Sequence, residues 1–299
     1  MQKTFANSEH LKWVLLVLLS CIWGSSFILI KIGLQGFDYV QAATIRLCAA
    51  GFILTPFALQ QLKYIPKEKR KYILITSMTA MFVPAYLFCF AQQHISSAVA
   101  GIMNSLTPTF TFLISLYFFK TKYSFLQYTG LVLGLAGSIY LSTLSNAGSF
   151  GINPYAVVIV IATVFYGINI NIVKQYLKGV KPWAVSTCSV SFAGWCAFVF
   201  AFIPFSNSYQ ITDQNINSFI SLVFLGLLST ALAIIIHNEL IHISSALFAS
   251  SNTYLIPIVA IVWGIIDGEQ VSNFHLIGVM IIIAAIILIR FQPRRSQQN

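Results

Sequence analysis

The chain has 299 residues, of which 58% are hydrophobic and only 8% charged. That leaves too little polar surface to cover a soluble domain, so the solvent of this fold is lipid. A formal net charge of +10 could point to nucleic acid, but the basic residues fall in tails and short loops, as the orientation signal of a membrane protein does, and not on one face.

A helix crossing about 30 Å of hydrocarbon needs about 20 apolar residues, and because lipid offers no hydrogen bonds each span must be helical. Ten spans are predicted. A cytoplasmic tail, 1–10, leads into the first, at about 12–34. Only Lys3 and Lys12 precede its apolar run, and no small-residue cleavage pattern follows, so it reads as a span and not a removable signal peptide. It carries Trp23, Ser25 and Ser26 near the midplane and Lys31 near its outer end.

The second span, at about 40–60, follows Asp38 and holds Arg46 about six residues, or about 9 Å, below its outer end. An isolated cation at that depth costs on the order of 3 kcal/mol, so it needs a partner or water. Asp38, Asp267 and Glu269 are predicted on the same outer side as Lys31. One reading is an outer vestibule in which Arg46 and Lys31 attract a substrate carboxylate or form gate pairs with those acids. The other is a permanent structural ion pair, with Lys31 snorkelling to the interface.

The basic run Lys67 to Lys71 lies in the loop before the third span, at about 71–92, which adds Tyr86 to the candidate binding residues. The fourth, at about 96–119, opens on Ile95-Ser96-Ser97-Ala98 and carries Asn104, Thr107 and Pro108. A proline removes one helix hydrogen bond and frees a carbonyl some four residues earlier, here that of Asn104, which makes Pro108 a candidate hinge. On the fifth span, at about 124–144, Gly130, Gly134 and Gly137 make a smooth face for close helix contact, within the chain or in a homodimer.

After an external linker, 146–151, the pattern starts again, with spans at about 153–174, 182–204, 217–239, 244–266 and 272–291 and a cytoplasmic tail, 292–299. Trp23-Gly24-Ser25-Ser26-Phe27-Ile28-Leu29-Ile30-Lys31 is echoed by Tyr166-Gly167-Ile168-Asn169-Ile170-Asn171-Ile172-Val173-Lys174 at an offset of 143. Ile95-Ser96-Ser97-Ala98 returns as Ile243-Ser244-Ser245-Ala246, and Gly130 as Gly278, at an offset of 148. Five spans per copy is an odd number, so the two copies, 11–145 and 152–291, insert in opposite orientations. With the N-terminus inside, only Lys31 and Arg46 among the basic residues are left outside or within a span, which independently supports both termini being cytoplasmic.

Inverted repeats recur in secondary transporters, because one pattern folded in two orientations gives two exchangeable conformations, with the substrate site at the repeat interface near the midplane. The second copy supplies Tyr166 and Asn169 on the sixth span and Asn252 and Tyr254 on the ninth, with Pro257 as its hinge. No acid stands at that depth. Amide, hydroxyl and indole groups suit a neutral or zwitterionic solute such as an amino acid; helix-to-helix hydrogen bonding is the commoner role for any one of them, and the cluster is better evidence than any member. His237, Glu239 and His242 form a titratable cluster at the cytoplasmic end of the eighth span, with chemistry that allows proton coupling or plain interfacial capping. The five cysteines lie singly within spans, with no metal-ligand spacing, and no phosphate loop or nucleophile–base set occurs, so neither a cofactor nor an enzyme is expected.

With these residues in place the chain resembles the EamA-type transporters of the drug/metabolite transporter superfamily. The carriers are Trp23 to Phe27 with Lys31, Arg46, Ser97-Ala98, Pro108, Ser245-Ala246, Pro257, Gly268-Glu269 and Gly278. The resemblance implies an all-α carrier of small metabolites, ten transmembrane helices in two inverted five-helix repeats, and export as its direction. Two positions depart from a symmetric pattern: Thr121 stands opposite Glu269, and Ser189 opposite Arg46.

Overall fold

The structure, a computed structural model, describes residues 2–95, 97–144, 154–259 and 273–290. Among these residues the regular structure is all helical, with no strand. In chain order the helices are α1 (Gln2–Gly33), α2 (Tyr39–Gln61), α3 (Lys67–Gln92), α4 (Ser97–Asn104), α5 (Thr107–Phe119), α6 (Phe125–Leu144), α7 (Pro154–Tyr176), α8 (Pro182–Phe202), α9 (Ile216–Ile243), α10 (Ala246–Val259) and α11 (Asn273–Arg290). Six of them, α1 to α3 and α7 to α9, are long and apolar enough to cross a membrane, and α5, α6, α10 and α11 hold shorter apolar stretches. Aromatic side chains stand on the outside, with Phe118 79% and Phe125 83% exposed. An exterior of that kind is stable against lipid tails and not against water. The chain is an integral membrane protein.

Local chemistry sets the helix ends. Asp38 Oδ1 accepts from Gln41 N–H at 2.9 Å while Gln41 Oε1 accepts from Asp38 N–H at 3.0 Å, a capping box that starts α2. Asp38 is thereby engaged as a cap. Lys120 takes a left-handed conformation (φ 50°) to end α5, and Pro182 opens α8 where its missing N–H has no partner to lose. Two long helices carry wide π-turns in their middles, Ser77–Phe82 in α3 and Leu225–Leu232 in α9. Such turns rotate the side chains that follow and gather at functional sites.

The predicted fourth span is not one helix. It breaks at Ser105 and Leu106, and Pro108 falls in the first turn of α5, where a proline costs no hydrogen bond. The Asn104 carbonyl accepts from Thr107 Oγ1 at 2.8 Å. In α10 the turn Ser251–Leu255 tightens to a 3-10 helix just before Pro257, and the Thr253 carbonyl accepts from Ile256 N–H. The Asn104 carbonyl that Pro108 was expected to free, and that of Thr253 four residues before Pro257, are therefore met locally.

Helices α2 and α8 meet at glycines. A Cβ on Gly51 or on Gly194 would lie 2.6 Å from the other residue's Cα, so only hydrogen at both positions permits the approach. Beside them Ser191 Oγ donates to the Gly51 carbonyl at 3.1 Å, Cys48 Sγ to the Gly194 carbonyl at 3.8 Å, and the Phe52 and Trp195 rings pack with centroids 5.1 Å apart. Gly51 and Gly194, and Phe52 and Trp195, are separated by the repeat offset of 143, and that offset also exchanges the two hydrogen bonds, since 48 corresponds to 191 and 51 to 194.

The small-residue face of α6 is filled from within the chain. A Cβ on Gly130 would meet the Ala285 carbonyl at 2.7 Å, and one on Gly134 would enter the Tyr254 ring. The face that could have joined two copies is covered by α10 and α11. The end of the predicted ninth span, the linker 146–151, and Asp267 and Glu269 lie outside the described residues.

Candidate functional site

A cavity lies where α1, α3, α4, α7, α9 and α10 converge, with Arg46 of α2 in its wall. About 60 Å³ of it is free for water-sized molecules, a narrow space in this conformation. Its walls follow the internal repeat. At an offset of 143, Trp23 and Tyr166, Ser26 and Asn169, and Phe27 and Ile170 all line it. Asn104 and Asn252, 148 apart, face it from α4 and α10. On the π-turned helices the offset is 149, pairing Ala80 with Ser229, Met81 with Thr230, and Phe88 with His237.

Several groups in this wall are fixed by the fold. Trp23 Nε1 donates to the Ser229 carbonyl at 2.9 Å, which ties α1 to the π-turn of α9, and its ring meets the His237 ring with centroids 5.0 Å apart. Tyr166 stacks on Phe88 at 5.9 Å. Arg46 Nε donates to Thr230 Oγ1 at 2.8 Å. Arg46 and Lys31 form no ion pair among the described residues, and Lys31 is exposed on the surface of α1. Of the three acids expected near Arg46 as pair or gate partners, Asp38 caps α2 and forms no ion pair with it.

Other groups in the wall have no partner. Asn169 Oδ1, His237 Nε2 and both amide atoms of Asn252 are buried without a hydrogen bond among the described protein atoms. An unmet buried amide or imidazole costs about 1–3 kcal/mol, so these atoms either meet water or await a ligand. Asn104 differs from its counterpart, since its Oδ1 accepts from Thr107 Oγ1 at 3.4 Å.

Of the residues expected to bind substrate, the structure brings Trp23, Ser26, Arg46, Asn104, Thr107, Tyr166, Asn169 and Asn252 to one cavity. Three fall elsewhere. Ser25 donates to the Cys21 carbonyl at 2.8 Å on another face of α1, one helical step from Ser26. Tyr86 holds Thr44, oxygen to oxygen at 2.9 Å, behind the wall. Tyr254 is fully buried against Gly134 and donates to the Leu131 carbonyl at 3.1 Å, in the packing between α6 and α10 and not in the cavity wall. The titratable cluster also divides. His237 faces the cavity, Glu239 is half-buried, and His242 is exposed. Residues at 237, 239 and 242 cannot share one face of a helix with 3.6 residues per turn.

Ser229, Thr230, Met81 and Phe88 line the cavity without having been singled out from sequence. The adjacent hydroxyls of Ser229 and Thr230 inside a long apolar run were a usable signal. Met81 and Phe88, apolar residues in apolar spans, gave none.

The family model described as the EamA-like transporter family matches residues 11–143 and 153–291. An uncharacterized inner membrane transporter of Escherichia coli, YedA, is 25% identical over 282 residues, covering 90% of this chain and 87% of its own. A probable terminal-alkyne amino-acid exporter of Streptantibioticus cattleyicolor is 24% identical over 277 residues, covering 92% and 91%. One solved crystal structure, 15% identical, covers 98% of this chain and 99% of its own with a TM-score of 0.73, a likeness of fold.

Proposed function

The chain belongs to the EamA-like transporter family, and from that premise we propose that it is a secondary transporter that exports small polar metabolites such as amino acids. It works by alternating access at the interface of two inverted five-helix repeats, with ten spans and both termini in the cytoplasm. The observation that carries this reading is the cavity itself, walled by counterpart residues of both copies and holding the unpartnered atoms of Asn169, His237 and Asn252. The reciprocal contact of Gly51 with Gly194, and of Phe52 with Trp195, supports it too, since matching residues meet one another where a two-fold axis passes between them. Amino acids are favoured as cargo by the mixture of amide, hydroxyl and aromatic groups in the wall, and a relative named as an exporter of amino acids points the same way.

The test is counterflow. Proteoliposomes loaded with unlabelled amino acids should accumulate labelled solute from outside, with saturation. Unsaturable flux without exchange would mean a passive channel. Comparing medium from overexpressing and deletion cells then names the compound. For orientation, tags at residue 1, at residue 299 and in the loop 67–71 should be protected in intact cells, while tags at 146–148 or 206–208 should be accessible.

A further inference from the structure

We infer that Arg46 and Thr230 form the carboxylate subsite of the central cavity, so that its ligands are monocarboxylates with an apolar body. This inference rests on the reading of the cavity as a substrate site and adds the chemical class that the site selects.

Three observations carry it. First, the Arg46 guanidinium spends only Nε within the fold, on Thr230 Oγ1 at 2.8 Å. Its two terminal nitrogens form no hydrogen bond or ion pair among the described residues, and they form the fork that meets a carboxylate's two oxygens. Second, the described cavity wall contains no aspartate or glutamate. A guanidinium this far into the membrane is costly without a counter-charge, and one carboxylate supplies it. Third, the subsite is single. The repeat counterpart of Arg46 is Ser189, which is fully buried in α8 and donates to its own helix at the Ser186 carbonyl, 3.2 Å away. The duplicated frame therefore offers one cation and not two, which sets a limit of one carboxylate.

The rest of the ligand is specified by the walls. Phe27, Met81 and Phe88 of the first copy present apolar surface to its body. Across from them, the unpartnered oxygens of Asn169 and Asn252 accept from any N–H or O–H the ligand carries. An amine is accommodated there and is not required.

The experiment uses four probes of one size, in a square: phenylalanine and 3-phenylpropionate carry the carboxylate, while phenylalaninamide and 3-phenylpropionamide replace it with an amide. Binding to the purified full chain in nanodiscs is read by ligand-induced heat stabilisation and by quenching of indole fluorescence. Both acids should bind at least tenfold more tightly than their amides, whether or not the amine is present. In Arg46→Gln that preference should vanish, leaving acid and amide equal. Thr230→Val, which removes the anchor of Nε and keeps the charge, should weaken both acids severalfold and leave the amides unchanged, so the inference stays testable if Arg46→Gln does not fold. Benzylmalonate, with two carboxylates, should bind more weakly than 3-phenylpropionate. Equal binding of acids and amides to the native protein overturns the inference, as does a preference that survives Arg46→Gln, or binding of none of the probes at millimolar concentration. Acid preference without counterflow would instead leave the subsite standing and remove the transport reading. Counterflow of labelled phenylalaninamide as fast as phenylalanine would do the reverse.

Discussion

The two walls of the cavity occupy matching places in the duplicated chain and differ in chemistry. From the first copy come Phe27, Ala80, Met81 and Phe88. At the corresponding positions of the second stand Ile170, Ser229, Thr230 and His237. At these four positions the first copy is apolar, while the second carries hydrogen-bonding groups at three of them; the first copy places its own polar groups elsewhere in the wall, at Ser26, Arg46, Asn104 and Thr107. Backbone geometry has been kept while side chains diverged, so a two-fold frame encloses an asymmetric cavity, as a small asymmetric solute requires.

The same contrast holds at the ends of the helices that carry the repeated Lys31 and Lys174. Lys174 Nζ donates to the Ile241 carbonyl at 2.8 Å and to the Ser244 carbonyl, fastening α7 to the end of α9. Lys31 is exposed and makes no such bond among the described residues. Where α1 approaches the start of α4, Ser97 Oγ donates to the Phe27 carbonyl at 3.4 Å. The repeated lysine is thus bonded to the end of a neighbouring helix in the second copy and left exposed in the first.

The largest expected difference between the copies is at these lysines. Lys174→Met removes a charged donor from two carbonyls and should lower unfolding stability by about 3 kcal/mol, while Lys31→Met should change it by less than about 0.5 kcal/mol. Equal losses in thermal unfolding would break the contrast.

Where the copies meet, the effects should be equal. Gly51→Val and Gly194→Val each force α2 and α8 apart and should each lower stability by about 2 kcal/mol, as overpacking does. If one is tolerated, the contact is not reciprocal in the membrane.

Asn252→Ala deletes an amide with no partner among the described residues. It should raise the half-saturating substrate concentration in counterflow about tenfold, a loss of about 1.4 kcal/mol of binding, with heat stability unchanged or raised. Asn104→Ala should cost less than about threefold in that constant, since its amide oxygen already has Thr107. A fall in stability for Asn252→Ala without a change in half-saturation would make that amide structural. Smallest of all, Ser25→Ala should leave half-saturation within about twofold of the native value, against a measurable loss for its neighbour Ser26→Ala.

Much of the site was legible in the sequence because two copies reported on it. A polar residue in an apolar span is ambiguous alone, yet Asn104 and Asn252 recur at one offset, and both reach the cavity. Helical phase was the limit. Ser25 and Ser26 are adjacent and about 100° apart around α1, and residue type gives no sign of which one faces inward. Tyr254 was misplaced for a related reason: the 3-10 turn at Ser251–Leu255 shifts its phase, sending the ring to Gly134 while Asn252 stays in the wall. The π-turns that bring Ser229 and Thr230 into the cavity leave no mark on hydrophobic periodicity. Arg46 was recognisable by its cost, but the hydroxyl that anchors it comes from 184 positions further along the chain.

The approach of α2 and α8 has a consequence for how this chain can evolve. Because each glycine occupies the space that a side chain on the other would need, neither copy is free to change that position by itself, and compensation from the partner is ruled out, since no residue is smaller. Duplication ordinarily releases one copy to drift. Here the point of contact keeps one position of each copy answerable to the other, so the cavity walls can go on specialising for new cargo while the seam between them stays as it was when the two copies were identical.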